Sequence, residues 1–261
     1  MATSFKLVVH HPEPVYARQA MAAAWTELDA LEIRLSRFIE HGDLFRINRL
    51  AAGQSTTIHP DTARCLAIAL ELTAAALGAF DVAYAARRRH PTGPVVQVDC
   101  LPPQATALVD HPQLDLGAIG KGFALDCLAL LLAEWEIETA LLCASQSTIY
   151  ALGRPPGTPG WKVILEPGQE LWLADGAFSA SGLAVQGTHI FDPRTGLPTA
   201  GRCRAWSQAS SAAEADALST AFMVLSEPEI REFCRPRPSV SAFVKETEAS
   251  PCRCLALASQ R

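Results

Sequence analysis

A carboxylate and a hydroxyl lie four residues apart in the segment Glu214–Phe222, which predicts that they share one face of a helix. Asp216 and Thr220 stand at positions i and i+4, and side chains at that spacing are neighbours on a helix surface. Carboxylate, hydroxyl and backbone carbonyl oxygens are the hard ligands that Mg²⁺ or Ca²⁺ prefers. The pattern therefore indicates a divalent cation site. A polar stripe on an amphipathic helix gives the same spacing and is its commoner origin.

A second segment, Leu114–Asp126, combines closely spaced glycines with a lysine. Gly117, Gly120 and Gly122 surround Lys121 at a point where a helix is expected to begin. Glycines let backbone N–H groups approach an anion closely, and a helix N-terminus beside a lysine favours phosphate. The segment is not a Walker A loop, because its glycine spacing differs and no Ser or Thr follows the lysine. It indicates a phosphate site or, more often for such a turn, only the start of a helix.

A third segment, Gly187–Gly196, places a histidine beside residues that favour turns. Asp192 can accept a hydrogen bond from the following backbone, Pro193 fixes φ, and Gly196 tolerates a positive φ. His189 precedes this turn and is suited to proton transfer near neutral pH. The residues alone leave two roles equally open for His189, catalysis or a hydrogen bond that stabilises the turn.

The elements that must position these side chains are helices and short strands in irregular order. Periodic apolar residues predict helices, and short apolar runs bounded by Gly and Pro predict strands. The predicted helices are Val15–Ile39, Asp61–Leu77 with Asp61 as its N-cap, Lys121–Trp135 and Ala212–Leu225. The predicted strands are Phe5–His10, Val95–Val98, Leu114–Leu116, runs within Thr139–Leu152, Trp161–Leu165, Leu171–Ala174, Val240–Glu246 and Cys254–Ala258. Because regular β-α-β alternation is missing, this order predicts an α+β fold.

Composition and charge exclude several classes of protein. Apolar residues make up 49% of the chain and the formal net charge is −5, which is typical of a globular protein and gives no electrostatic reason to bind nucleic acid. No apolar run reaches the ~20 residues of a membrane span, and no signal-peptide pattern is visible. Together with eight irregularly spaced cysteines, this leads us to expect reduced thiols and a cytoplasmic location. The pair Cys252 and Cys254 is weak support for a structural metal. The basic run Arg87–Arg89 predicts a solvated loop, with a phosphate or acidic-partner contact as the alternative.

Taken in order along the chain, these segments resemble the FAD:protein FMN transferase (ApbE-type) family. The stretch Asp115–Asp126 (DLGAIGKGFALD) matches the family's D-L-G-A-I-A-K-G-x-x-x-D almost residue for residue. The other matching stretches are Ser36–Phe38 with Asp43–Asn48, Gly78–Asp81 (GAFD), Ser179–Gly182 (SASG), His189–Gly196 (HIFDPRTG) and Asp216–Thr220 (DALST). Each motif is modest alone, but six in the same order are specific, and the similarity runs from about Phe5 to the C-terminus.

The resemblance implies a defined reaction and architecture. Members of the family transfer the FMN half of FAD to a Thr or Ser hydroxyl of a target protein as a phosphoester, using Mg²⁺ and releasing AMP. Some members instead hydrolyse FAD to FMN and AMP. The implied architecture is one transferase-like domain over residues 1–261, with two lobes, mixed helices and mostly antiparallel sheets. The implied partners are FAD and an acceptor protein.

The resemblance also implies a role for each matching residue. By this similarity, the side chains of Asp216 and Thr220 and the backbone carbonyls of Ala118 and Ser219 hold Mg²⁺. The residues implied to contact FAD are Asn48, Asp81, Gly117, Ala118, Lys121, Gly122, Ser181 and His189. The target hydroxyl must lose a proton as it attacks, so the expected catalytic residues are His189 as proton acceptor and Asp216 as metal ligand.

Three stretches depart from the family's pattern, and one of them is Met1–Phe5, where Ala2 replaces the family's glycine. The other two lie where the family binds its flavin. Where the family carries Gly-Gly-Asp, this chain has Gln146–Thr148 (QST), so two glycines have gained side chains and a carboxylate has become a hydroxyl. Side chains at such positions can narrow a ligand site. After Ser181–Gly182, only the non-aromatic residues Leu183–Thr188 precede the histidine. The sequence favours an active transferase and leaves two alternatives, a non-catalytic flavin- or nucleotide-binding relative and a hydrolase or transferase acting on FAD or another nucleotide.

Overall fold

The computed structural model describes residues 3–182, 190–199 and 201–258. The helices among them are α1 (Pro14–Leu35), α2 (Asp43–Ile47), α3 (Pro60–Ala75), α4 (Gly120–Glu134), α5 (Ala212–Val224) and α6 (Glu227–Cys234). The strands are β1 (Phe5–Val9), β2 (Ser55–Thr57), β3 (Val96–Cys100), β4 (Pro103–Ala107), β5 (Ala140–Ala144), β6 (Thr148–Leu152), β7 (Trp161–Glu166), β8 (Gln169–Leu173), β9 (Gly176–Gly182), β10 (Arg204–Ala209), β11 (Ser241–Lys245) and β12 (Arg253–Ala256).

Three antiparallel sheets organise the strands. The largest has seven strands in the order β1-β5-β6-β9-β10-β11-β12, and each neighbouring pair in it is antiparallel. A three-stranded sheet has the order β2-β4-β3, and β7 pairs with β8. The predicted α+β fold with mostly antiparallel sheets is therefore confirmed. That a single domain spans residues 1–261 stays a prediction.

Two helices that are apolar on nearly all sides form the centre of the molecule. α4 and α5 contact each other, α5 packs on β9 and β10, and α4 contacts β6. Phe123 and Leu128 of α4 and Phe222 of α5 are almost fully buried. A helix that is apolar all round is stable only inside a core, and burial of each such side chain contributes about 1.5–3 kcal/mol. The two helices that carry the cation and phosphate motifs are thus held rigidly against the large sheet.

Two local predictions were wrong. The segment Leu114–Leu116 is not a strand; it is an irregular connection whose backbone pairs with a side chain, as described below. The N-cap of α3 is His59, whose ring accepts a hydrogen bond from the backbone N–H of Asp61 at 3.2 Å. Pro60 is the first helical residue because its fixed φ suits that position. The cap therefore lies two residues before Asp61, which is itself inside the first turn.

The cysteines form no disulfide bonds in this fold. All eight are free, and among the described residues no cluster of three or more His, Cys, Asp or Glu is arranged to hold a metal. Burial raises the pKa of Cys252 to about 11 and that of Cys127 to about 12, which disfavours the thiolate form that binds metals or reacts. The cytoplasmic location stays a prediction. Within the described part of the chain, no helix is long and apolar enough to cross a bilayer.

Candidate functional site

Asp216 lies at the centre of the candidate site, with its carboxylate almost entirely removed from solvent. Only 3% of the surface of Asp216 is exposed to solvent. The ammonium of Lys121 contacts both carboxylate oxygens, at 3.0 Å from Oδ1 and 3.1 Å from Oδ2. The backbone N–H of Gly122 donates to Oδ2 at 3.1 Å, and the hydroxyl of Thr148 donates to Oδ1 at 3.2 Å. The predicted cation motif and the predicted phosphate motif, far apart in sequence, therefore meet at one carboxylate.

The two central helices cap each other's N-termini through carboxylates. Gly122 is in the first turn of α4, so Asp216 of α5 caps α4 from outside it. In return, Asp126 of α4 accepts the N–H groups of Ala212 and Ala213 in the first turn of α5, at 2.6 and 2.8 Å. Carboxylates at helix N-termini satisfy free N–H groups and complement the helix dipole. This reciprocal capping fixes where Asp216 sits relative to Lys121.

Gly122 also makes the close approach of the helices possible. A Cβ at this position would lie 1.9 Å from the carbonyl oxygen of Ala212 and 2.8 Å from the nitrogen of Ala213. Any side chain would push α5 away and break the reciprocal caps. The sequence-based role of Gly122 as a flavin contact stays a prediction, and the structure adds a packing role that the spacing of the glycines did not reveal.

Replacement of Asp126 tests the capping argument through stability. Asp126→Ala leaves the N–H groups of Ala212 and Ala213 without acceptors and removes the 2.9 Å bond from the Ser211 hydroxyl. We expect the free energy of unfolding to fall by about 2–4 kcal/mol, measured by urea denaturation. Burial raises the pKa of the Asp126 carboxyl despite these bonds, so the neutral Asp126→Asn, which keeps one acceptor, is expected to lose less. Equal stability of Asp126→Ala and the wild type would contradict the capping role.

A buried chain of hydroxyl groups runs beneath the carboxylate from β6 to α5. Thr148 and Ser179 are within 3.0 Å, Ser179 and Ser219 within 3.3 Å, and Ser219 and Ser181 within 2.8 Å. Ser181 in turn lies 3.2 Å from Thr220 Oγ1. Thr148, Ser179 and Ser219 are fully buried, and buried hydroxyls of this kind persist when they satisfy one another. This series of hydroxyl groups connects Asp216 with Thr220, the two side chains predicted to hold a cation.

The oxygen atoms around Asp216 fit a hard divalent cation. The carboxylate of Asp216 and the hydroxyl of Thr220 lie on the same helix, with the hydroxyl 3.5 Å from the Asp216 carbonyl. In a helix, the carbonyl of Ala118 would accept from the N–H of Gly122, four residues later. Because that N–H donates to Asp216 instead, the Ala118 carbonyl has no backbone donor among the described residues. That carbonyl is therefore available as a ligand. Ser219 lies inside α5, where helix hydrogen bonds normally engage the carbonyls, and its role as a ligand stays a prediction.

The glycine-rich turn is held in place by the side chains of Asn48, Asp115 and Lys121. The side-chain amide of Asn48 pairs with the Leu114 backbone, accepting from its N–H at 2.6 Å and donating to its carbonyl at 2.9 Å. The Gly117 N–H donates to Asp115 at 2.9 Å, and the Gly117 carbonyl accepts from Lys121 at 3.0 Å. Asn48 thus acts here as a backbone clamp, and its predicted contact with FAD stays a prediction.

Asp81 lies beneath an arginine-rich turn. Its buried carboxylate accepts from the Ala83 N–H at 2.8 Å and from Arg87 Nε at 2.5 Å. Arg87 also donates to the Gly93 carbonyl at 2.7 Å, so this arginine of the basic run is ordered by an ion pair rather than solvated. The residue after Asp81 is linked to the glycine-rich segment, because the N–H of Asp115 donates to the carbonyl of Val82 at 2.7 Å. Its predicted contact with FAD stays a prediction.

The predicted turn after the histidine is confirmed, while the histidine itself lies outside the described residues. Asp192 accepts from the N–H of Arg194 at 2.9 Å, and its carbonyl accepts from the Gly196 N–H at 2.8 Å. Gly196 adopts φ +71°. Arg194 forms ion pairs with Asp192 and with Glu229 of α6. The proposed role of His189 therefore stays a prediction.

Sequence reasoning missed two residues of the site. Thr148 was noticed only as a departure from a family pattern, yet its hydroxyl bonds Asp216 directly. Gln146 and Ser147 form the turn between β5 and β6, with Gln146 exposed. Asp126 had no assigned role although it closes the matched motif. No local pattern could reveal either contact, because each joins residues more than sixty positions apart.

The fold is α+β, and it places the glycine-rich turn before α4 beside the carboxylate of Asp216 on α5. The sequence profile of the ApbE family matches residues 1–244, and the chain therefore belongs to the ApbE family. Among curated protein sequences, no significant match is found.

Solved structures share the fold at low sequence identity. The flavin transferase ApbE from Vibrio cholerae superposes with a TM-score of 0.83 at 19% identity, covering 97% of this chain and 94% of that one. The ApbE protein from Thermotoga maritima gives 0.79 at 22% identity, covering 97% and 93%. The apo form of the Pseudomonas stutzeri flavinyl transferase ApbE gives 0.79 at 20% identity, covering 97% and 94%. At these identities the likeness establishes the common fold.

Proposed function

We propose that this chain is a Mg²⁺-dependent FAD:protein FMN transferase, which moves FMN from FAD to a Thr or Ser hydroxyl of an acceptor protein and releases AMP. The observation that carries the proposal is the contact of Asp216, which shares α5 with Thr220, with Lys121 and Gly122 at the start of α4. A cation site directly beside a phosphate-type turn is the combination that cleavage of a pyrophosphate requires. Membership of the ApbE family supports the same reaction.

The residues of the site divide the chemistry between them. Asp216, Thr220 and the Ala118 carbonyl would hold Mg²⁺, which when bound withdraws charge from the pyrophosphate. The ammonium of Lys121 and the positive end of the α4 dipole would attract and orient the anionic phosphates. The N–H groups of Gly117 and Gly122 are already bonded to Asp115 and Asp216. The buried hydroxyl chain holds Thr220 in position through Ser181. His189 is our proposed acceptor of the proton from the attacking hydroxyl.

A direct test follows FAD and AMP together in the purified protein. FAD is added with and without Mg²⁺, flavin fluorescence reports binding, and AMP is quantified with and without a threonine-containing acceptor protein. The proposed function requires AMP formation that depends on Mg²⁺ and covalent flavin on the acceptor. AMP formation with free FMN and no labelled acceptor would instead make the protein a FAD pyrophosphatase.

One observation favours a second candidate, a flavin- or nucleotide-binding relative without turnover. The hydroxyl of Thr148 stands where the family pattern carries a carboxylate, and it is already bonded to Asp216. Among the described residues, Asp216 is the one carboxylate in contact with Lys121, so the local charges cancel, which weakens attraction for a cation. Tight FAD binding without AMP in the presence of Mg²⁺ and acceptor would select this candidate.

A further inference from the structure

The carboxylate of Asp216 has its hydrogen-bonding capacity fully occupied by the protein itself. An ionised carboxylate offers about four lone-pair sites. Lys121 and Thr148 contact Oδ1, at 3.0 and 3.2 Å, while Lys121 and the Gly122 N–H contact Oδ2, both at 3.1 Å. A divalent cation can therefore reach this carboxylate only if one of the three donors leaves.

The three donors differ in their freedom to move. The Gly122 N–H belongs to the first turn of α4, whose backbone is pressed against α5. Thr148 is fully buried on β6 and is tied to Ser179. The side chain of Lys121, by contrast, is 22% exposed and ends a flexible four-carbon stem. Thr148 can turn its hydroxyl proton towards Ser179, but its oxygen stays in place. Lys121 is the one of these three donors whose nitrogen can move away without dismantling a helix or a strand.

We propose that the ammonium of Lys121 holds the cation position at Asp216 in the ligand-free protein, and that a divalent cation binds by displacing it towards the nucleotide's phosphates. The ammonium bridges the Asp216 carboxylate and the Gly117 carbonyl, an arrangement of oxygens that suits a cation. Phosphate near the glycine-rich turn gives the displaced ammonium a new anionic partner. Cation and nucleotide binding are then coupled, because each favours the same position of Lys121. The inference rests on the proposed metal site and deepens it.

The proposed exchange of the Lys121 ammonium for a divalent cation at Asp216 is tested by measuring Mn²⁺ binding in the absence of nucleotide. The free Mn²⁺ signal in electron paramagnetic resonance is titrated with the wild type, Lys121→Met and the matched control Lys162→Met. Lys162 pairs with Glu170 in the separate β7–β8 sheet, so its replacement removes the same charge elsewhere. We expect Lys121→Met to bind Mn²⁺ about tenfold more tightly or better, and Lys162→Met to match the wild type. Equal or weaker binding by Lys121→Met, or an equal gain in Lys162→Met, overturns the proposal.

Two further measurements locate the effect, and a second neutral variant guards against misfolding. Adding Asp216→Asn to Lys121→Met is expected to remove the tight Mn²⁺ binding, and its survival would overturn the proposal by placing the cation elsewhere. With free Mn²⁺ corrected for the Mn–ADP complex in solution, saturating ADP is expected to narrow the difference in Mn²⁺ affinity between the wild type and Lys121→Met, because phosphate then draws the ammonium away in the wild type. An unchanged difference in Mn²⁺ affinity would overturn the inference that phosphate draws the ammonium of Lys121 away from Asp216. If Lys121→Met does not fold, Lys121→Gln serves as the neutral variant with the same expected outcomes.

The proposed function can fail separately from this exchange. Mg²⁺-dependent AMP formation by the wild type, together with unchanged Mn²⁺ affinity in Lys121→Met, leaves the transferase standing and overturns the exchange. Tighter Mn²⁺ binding in Lys121→Met, with no AMP formed by the wild type in the presence of acceptor, supports the exchange while the transferase assignment fails.

Discussion

Replacing Asp216 by asparagine is expected to reduce Mg²⁺-dependent AMP formation from FAD by at least about 10³-fold, because a bound metal supplies several kcal/mol of stabilisation to the transition state. Asparagine keeps the size of the side chain but loses the charge that a divalent cation requires. The NH₂ group of the new asparagine is a donor, and it would face other donor groups, those of Lys121, Gly122 and Thr148. We therefore expect the free energy of unfolding to fall by about 1–3 kcal/mol as well.

A matched control separates lost chemistry from lost stability. Asp99 on β3 contacts Gln97 and lies in the separate three-stranded sheet, so Asp99→Asn makes the same chemical change away from the site. It is expected to retain wild-type AMP formation. Circular dichroism at the assay temperature verifies that both variants are folded. A folded Asp216→Asn protein with activity within about tenfold of the wild type would show that the cation is not held by this carboxylate.

The largest effect on stability is expected from Gly122→Ala. The new methyl group would lie 1.9 Å from the Ala212 carbonyl oxygen and 2.4 Å from its carbon. These are backbone atoms at the start of α5, where Asp126 accepts the N–H groups of Ala212 and Ala213. α5 cannot move aside without losing those caps. We expect a loss of about 3–5 kcal/mol in the free energy of unfolding, or failure to accumulate as folded protein.

Gly117→Ala is the matched control for this substitution. Gly117 lies in the same glycine-rich turn, but a Cβ there meets only the Asp115 side chain, with Oδ1 at 3.2 Å. Because a flexible side chain can shift, we expect the free energy of unfolding to fall by about 1 kcal/mol or less. Thermal and urea unfolding of both variants give the comparison. A Gly122→Ala protein as stable as Gly117→Ala would mean that the helices can separate without cost.

The ApbE motifs could be identified from the sequence because they are local. Asp216 and Thr220 share a helix face through a four-residue spacing, and the Asp192 turn follows from the preferences of Asp, Pro and Gly. Both signals lie within a few residues, and backbone geometry converts such spacings directly into proximity. The apolar runs of α4 and α5 were predicted for the same reason.

Strands without an alternating pattern were not predicted. β9 (GAFSASG) consists mostly of small residues, and its first four residues are buried on both faces of the sheet. β10 is likewise buried at four of six positions. Strand prediction relies on alternation of apolar and polar residues, which disappears when a strand is covered on both sides. β9 is the strand that carries Ser179 and Ser181 to the site.

The sequence by itself determined the ApbE family and the α+β class, and it predicted the residue types of a cation and phosphate site. Only the tertiary structure decided that Lys121 and Thr148 both bind Asp216, across 95 and 68 positions of chain. It also decided that Asp126 and Asp216 cap opposite helices and that Gly122 serves their packing. Such contacts arise where the packing of the sheet and helices brings distant segments together, and no local spacing encodes them.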